Sequence, residues 1–294
     1  MTNNKDYSSI QFKRSEKVDG NDNGNSLSYN RKNGLDGFLS AADVLENKKV
    51  VERFTTGSSQ LDEILGGGIE IGSITQFYGS PGSGKSQICM TACALLPQQY
   101  SSIYIDTEHK IRAERLQQIL QNRGLQSNNI LKNISITKPF NVQEIEGAID
   151  KISTFFDSNK SIKLIIVDSI MNLFRIEYQV RSQLTARQQK INLIMSKLRN
   201  LAIEKNAAII ITNHIQTDPS SFSSPINNQI PTGGNILEYA CTHIIALKKI
   251  SIDNRATLVK SNYLPCGEGA YFIITEKGIE NGREGFKNRI NNKK

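Results

Sequence analysis

Residues 79–86 read Gly79-Ser80-Pro81-Gly82-Ser83-Gly84-Lys85-Ser86, a glycine-rich turn that ends in a cation and a hydroxyl. Glycines at this spacing let successive backbone N–H groups turn inward onto a polyanion. A helix opening at Lys85 would add the partial positive charge of its N-terminus. Lys85 is placed to reach the β- and γ-phosphates of a nucleoside triphosphate, and Ser86 to offer oxygen to Mg2+, which prefers hard ligands. Such a site also needs a carboxylate at the end of a neighbouring strand. The run IKLIIVD (162–168) ends in Asp168, which would hold the metal through water. Hydrolysis further requires a group that positions or deprotonates water. SIYIDTEHK (102–110) offers both Asp106 and Glu108 at the same edge, with Glu108 lying past the strand end, nearer the expected γ-phosphate.

These residues are positioned by an alternation of two patterns. The runs SITQFY (73–78), SIYID (102–106), NISIT (133–137), IKLIIVD (162–168) and AAIIIT (207–212) are short and mostly β-branched or aromatic, as strands covered on both faces are. Between them lie helical stretches at 112–123, 142–156 and 184–205. In the last, Ile191, Ile194, Met195, Leu198, Leu201 and Ala202 share one face. Strand alternating with helix predicts an α/β fold with a mostly parallel sheet and right-handed crossovers. Segments 243–248, 256–261 and 270–275 read as strands joined by short turns, which predicts a C-terminal antiparallel extension. Residues 1–36 are polar and predict a disordered tail. Residues 37–53 form an apolar cluster followed by a helix-like stretch, 54–281 form the core, and 282–294 a basic, flexible tail.

Composition excludes several classes. The chain has 294 residues, with 36 Lys and Arg against 28 Asp and Glu and a net charge of +8, so a nucleic-acid partner is permitted but not established. No apolar run approaches the roughly 20 residues needed to span a bilayer. The N-terminus lacks the apolar core of a secretory signal, so the expected location is cytoplasmic. Cys89, Cys93, Cys241 and Cys266 form no CxxC pair, which argues against a zinc site or a disulfide framework.

A more specific resemblance emerges from the ordered set of segments. FTTGSSQLDEILGGGIEIGSITQFYGSPGSGKSQ, YIDTEHKIRAERL, IKLIIVDSIMNLFRIEYQVRSQLTARQQK, AAIIITN, PTGGNI and FIITEKGIE are similar to the RadA-type archaeal and eukaryotic recombinases of the RecA superfamily, from about Gly37 to about Asn281. The resemblance implies a RecA-like P-loop ATPase core that binds ATP and Mg2+, single-stranded and double-stranded DNA, and further copies of itself in a filament or ring beside the nucleoid. It implies that Glu108 positions the attacking water, with Lys85 and His214 also in the catalytic set. Gln87 and Arg115 join the phosphate loop and Asp168 around the nucleotide, Arg115 lying flat against adenine. Arg175, Arg181 and Arg187 fall in a first DNA-facing loop. Residues 214–232 match a second, with Phe222 placed to stack on bases. Phe38 and Ala41 match the FxxA polymerisation motif, whose apolar anchors plug into the next subunit while the linker pairs with its sheet edge.

Four departures set this chain apart. A polar tail stands where the family usually carries a helix-hairpin-helix domain. His214 stands for a glutamine thought to sense the γ-phosphate, Tyr239 for a histidine, and Lys260 for an aspartate in the cap over a neighbour's ATP. They keep open a second possibility, a paralogue that binds ATP and DNA and regulates a longer partner recombinase. A KaiC-like or helicase motor is a third.

Overall fold

The computed structural model describes residues 40–46, 51–156, 162–217 and 229–283. The polar N-terminal tail, Phe38, Phe222 and the basic tail beyond residue 283 lie outside them. The chain divides into two units, Met1–Lys49 and Val50–Lys294. In the first, helix α1 (Ala41–Glu46) is opened by a reciprocal cap. The backbone N–H of Asp43 donates to Ser40 Oγ at 3.1 Å, and the backbone N–H of Ser40 donates to the Asp43 carboxylate at 3.2 Å. No residue of α1 is buried, and Ala41 is exposed at its first position.

The second unit begins with β1 (Arg53–Phe54) and β2 (Ile69–Glu70), an antiparallel ribbon with α2 (Ser59–Ile64) between its strands. Then follow β3 (Ile74–Gly79), α3 (Lys85–Ala94), β4 (Ser101–Asp106), α4 (Ala113–Asn122), α5 (Ser127–Lys132), β5 (Ile134–Thr137), α6 (Val142–Phe156), β6 (Ile162–Asp168), α7 (Asn172–Glu177), α8 (Leu184–Glu204) and β7 (Ala208–Asn213). A second ribbon pairs β8 (Ile215–Thr217) with β9 (Gln229–Pro231). Helix α9 (Asn235–Ala240) leads into β10 (His243–Ile250), β11 (Asp253–Ser261), β12 (Gly269–Thr275) and β13 (Gly278–Asn281).

The main sheet has nine strands in the order β5-β4-β6-β7-β3-β10-β11-β12-β13. Pairing is parallel from β5 to β10 and antiparallel from β10 to β13. As the sequence pattern predicted, β10 begins the antiparallel extension by pairing with β11, while on its other side it runs parallel to β3. Helix α9 is the cause, because it carries the chain back to the starting edge so that β10 enters in the same direction as β3.

Alternation within the strands divides the core into two layers. Leu164 and Ile166 of β6, with Ala208 and Ile210 of β7, face the layer built on α2, α3 and α4. Ile165 and Val167, with Ile209 and Ile211, face the layer built on α6 and α8. Each fully buried aliphatic contributes about 1.5–3 kcal/mol. With both faces apolar, the central strands have no polar side to offer, and their chemistry is confined to their ends.

Candidate active site

The crossover from β3 through α3 to β4 passes over β7 and β6, so the C-terminal ends of β3, β7, β6 and β4 lie side by side. Register fixes what each end presents. Asp106 of β4 is level with Asp168 of β6, and Asn213 of β7 is level with Tyr78 of β3. Gly79, His214, Asp168 and Glu108 thus come from sequence positions far apart to one edge.

Between β3 and α3 the glycines are required where backbone and side chains crowd. A Cβ on Gly79 would meet Leu247 O at 2.3 Å, and Gly84 holds φ +97 with the Phe272 ring 2.9 Å from where its Cβ would be. Pro81 and Gly82 form the exposed tip, while the buried Ser83 hydroxyl has no hydrogen-bond partner among the described residues. Lys85 is only 8% exposed, and its Nζ donates to the carbonyls of Gly79 at 2.8 Å and Ser80 at 3.0 Å. Burial pushes its pKa down, against the opposing pull of Asp168 and Glu108. A phosphate entering the loop would exchange neutral carbonyl acceptors for charged ones, which make the stronger bond.

Asp168 is buried, and it accepts hydrogen bonds from Tyr104 OH at 2.6 Å and from the Thr212 hydroxyl. Both donors are neutral, and Asp168 has no ion-pair partner among the described residues. A buried carboxylate so placed fits a hard cation nearby, with Ser86 at the start of α3 as the second oxygen. Among the described residues no group of three His, Cys, Asp or Glu side chains could hold a metal by itself, so the ion would share phosphate and water oxygens. The sequence pattern missed Tyr104 and Thr212. Both sit inside apolar runs, and the available signal was the even spacing of Tyr104, Asp106 and Glu108 along one chain face.

The structure separates the two carboxylates that the sequence left as alternatives. Asp106 accepts the backbone N–H of Ile111 at 2.9 Å and shapes the turn. Glu108 instead points both oxygens at side-chain cations or imidazole. His214 Nε2 lies 2.6 Å from Oε1 and Lys110 Nζ 2.5 Å from Oε2. The His214 hydrogen bond, ahead of the Lys110 bond, holds the Glu108 pKa down to about 2. A depressed carboxylate stabilises the fold above its ordinary value of 4.5 and loses that contribution as pH falls from there toward 2.

His214 is also the root of the β8–β9 ribbon. Its carbonyl accepts the Thr232 N–H at 3.0 Å. Asn213 clasps the same base, its Nδ2 donating to Thr232 O at 2.6 Å and its Oδ1 accepting the Thr232 hydroxyl at 2.5 Å. The ribbon carries residues 218–228 between its strands.

The other sequence-selected residues divide. Gln87 and Arg115 do meet, Arg115 Nε donating to Gln87 Oε1 at 3.0 Å. The Arg115 guanidinium also donates to the carbonyls of Thr275 at 2.5 Å and Glu276 at 3.3 Å, which tie it to the β12–β13 turn. Arg175, Arg181 and Arg187, which the resemblance assigns to a DNA-facing loop, are set in α7, a 3-10 turn (Arg181–Gln183) and α8 respectively, Arg187 on the helix that the sequence pattern predicted. The first two are exposed, and the Nε of half-buried Arg187 has no partner among the described residues. Lys260 Nζ donates to the carbonyls of Glu238 and Cys241 at the end of α9, beside Tyr239, which is 77% exposed.

A groove of about 730 Å³ opens along β5, at the sheet's outer edge. Ile136 of β5 and Gly147, Ala148, Lys151, Ile152 and Phe155 of α6 help line it. β5 has no strand beyond it among the described residues, so an unpaired backbone edge runs beside an apolar trough.

A model of the Rad51 family matches residues 47–282. The chain belongs to the Rad51 family. It is 35% identical over 262 residues to the DNA repair and recombination protein RadA of Methanococcus voltae, a match that spans 83% of this chain and 80% of that relative. The nine-stranded, mostly parallel sheet is accordingly the RecA-like core of a Rad51-family protein.

Proposed function

We propose that this Rad51-family chain is a DNA-dependent ATPase and recombinase. It assembles on single-stranded DNA, pairs that strand with a homologous duplex, and uses ATP hydrolysis to release it. The observation that carries this reading is the Glu108–His214 contact, which joins the nucleotide edge of the sheet to the root of the β8–β9 ribbon. In this reading the loop of residues 79–86 wraps the phosphates, Lys85 meets the β- and γ-phosphates, and Glu108 orients the attacking water. Ser86 and Asp168 would hold Mg2+, which when bound neutralises charge on the phosphates. Arg115 bounds the base pocket, and Arg175, Arg181 and Arg187 with the segment 218–228, including Phe222, face DNA. Exposed Arg175 and Arg181 are free to reach a backbone phosphate. Among the described residues no helix is long and apolar enough to cross a membrane, in keeping with work beside the nucleoid.

The β5 groove supports self-assembly. An extended segment adding to the β5 edge while its aromatic side chain fills the trough is β-augmentation with an apolar anchor. The Phe38–Ala41 segment is the proposed donor, from the preceding subunit. The contact is heterologous and does not close on itself, so it builds a helix. Phe38→Glu is expected to give monomers by light scattering, because a charge in an apolar socket is costly. Polymers of unchanged size would remove Phe38 from the interface.

Strand-exchange product and an ATPase rate raised by single-stranded DNA are the expected outcomes with ATP, magnesium and homologous duplex. DNA affinity should fall by about 0.7 log unit per log unit of salt for each phosphate neutralised on a single strand. A salt-independent affinity, or an ATPase indifferent to DNA, would count against this function. So would strand exchange that appears only when a longer recombinase is added.

A further inference from the structure

Glu108 and Lys110 project from a turn that is pinned on both sides. The Asp106 carboxylate accepts the Ile111 N–H at 2.9 Å, and His109, between the pair, takes the left-handed conformation at φ +57. The His109 ring centroid lies 4.5 Å from that of Phe140, and its Nε2 lies 3.0 Å from Pro139 O, which ties the turn to the β5–α6 connection. From this fixed base the two side chains reach different surroundings. That of Glu108 is 13% exposed and that of Lys110 is 73% exposed. The Lys110 ammonium meets Glu108 Oε2 at 2.5 Å, while His214 holds Oε1. An ion pair with one partner so open to water is held weakly, and the long lysine stem keeps its rotamer freedom.

The Lys110 charge lies within reach of the nucleotide edge. The hydrogen bond to Glu108, then the charges of Glu108, Asp168 and Asp106, raise its pKa, so it is an ammonium at neutral pH. Lys85, whose pKa is pushed down first by burial, is pushed further down by the Lys110 charge. Two ammonium groups therefore flank the carboxylates of this edge, Lys85 buried at the loop and Lys110 on the open side. A terminal phosphate carries up to about two negative charges, and it is a stronger acceptor for an ammonium than a singly charged carboxylate.

We propose that Lys110 is a second cation for the terminal phosphate, parked on Glu108 Oε2 while the site is empty and passed to the phosphate when a nucleoside triphosphate binds. The inference rests on the nucleotide site proposed above and adds to it a binding group on its open side. The exchange also changes Glu108. In the empty site the ammonium covers Oε2, and its transfer uncovers lone pairs that can accept from water. The water-aligning oxygen is thus presented when a terminal phosphate is there to be attacked. A diphosphate has no terminal phosphate to draw the ammonium away, so Lys110 stays on Glu108.

Calorimetric titration of the full chain with magnesium and either a non-hydrolysable ATP analogue or ADP tests the exchange in wild type, K110Q and K110R. K110Q is expected to weaken the analogue by about tenfold, the loss of one bond to a charged acceptor, and to leave ADP affinity unchanged. K110R keeps the charge and is expected to restore most of the analogue affinity. A second readout uses wild type alone: brief labelling with an acylating reagent, followed by mass spectrometry of the Lys110 peptide. The analogue is expected to protect Lys110 and ADP is not. Unchanged analogue affinity in K110Q, even with slower hydrolysis, would make Lys110 a holder of Glu108 and overturn the inference. Equal weakening of analogue and ADP, or no difference between them in protection, overturns it as well, and each of these leaves the nucleotide site standing. No binding of either nucleotide to wild type overturns the nucleotide site and this inference with it.

Discussion

Glu108→Gln is expected to leave ATP bound within a few-fold of wild-type affinity while slowing hydrolysis by about 10²–10⁴-fold. The phosphate loop, Lys85 and Asp168 do not depend on the Glu108 charge for their own contacts, so the ground state is preserved. What would be lost is the acceptor proposed to align water at the terminal phosphate. The wild-type carboxylate is held ionised by His214 at 2.6 Å and Lys110 at 2.5 Å, with a pKa of about 2. Such a group is a weak proton acceptor but a strong and well-oriented hydrogen-bond acceptor, suited to aligning water more than to stripping it. The amide keeps one oxygen for His214 and turns a donor toward Lys110, which disrupts the clamp. Single-turnover hydrolysis, with affinity measured separately by a fluorescent nucleotide, separates the two effects. An unchanged turnover rate would move the water-positioning role away from Glu108.

Lys85→Ala is expected to act one step earlier, on binding. Its ammonium reaches the mouth of the loop and already donates to Gly79 O and Ser80 O. With phosphate present, each bond to a charged acceptor is worth about 1.5–3 kcal/mol. Loss of two such bonds would weaken ATP by roughly 10²–10⁴-fold. Circular dichroism is expected to show an intact fold, since the surrounding packing is carried by Ile88, Phe77 and Phe272. Retained ATP affinity in the folded variant would show that the loop is not a phosphate site.

The two layers and the nucleotide edge were legible because parallel strands leave a strong mark. A strand covered on both faces must be apolar throughout, so IKLIIVD and AAIIIT stand out, and the residues that follow them fall at the chemical edge. The helix face from Ile191 to Ala202 was legible for the same reason, since burial imposes a period. What was not legible depends on contacts between distant strands. Nothing local in SIYID says that Tyr104 will bond Asp168, or in PTGGN that Thr232 will clasp Asn213. Nor does spacing reveal that Asp106 is spent on a backbone N–H while Glu108 is not. The antiparallel pairing of β10 with β11 was legible, but the parallel contact of β10 with β3 on its other side was not, because short strands of one pattern can pair either way and only the α9 crossover decides.

The Asn213–Thr232 clasp makes the β8–β9 ribbon a lever with a fixed hinge. Two hydrogen bonds between Asn213 and Thr232 shut its base, so a displacement of His214 would turn the ribbon as a unit more readily than it would part the strands. β8 spans three residues, an arm of about 10 Å. A rotation at that base too small to disturb the sheet would therefore be enlarged at the far end of the arm, with a gain set by the length of the ribbon and by the stiffness of the two Asn213–Thr232 bonds.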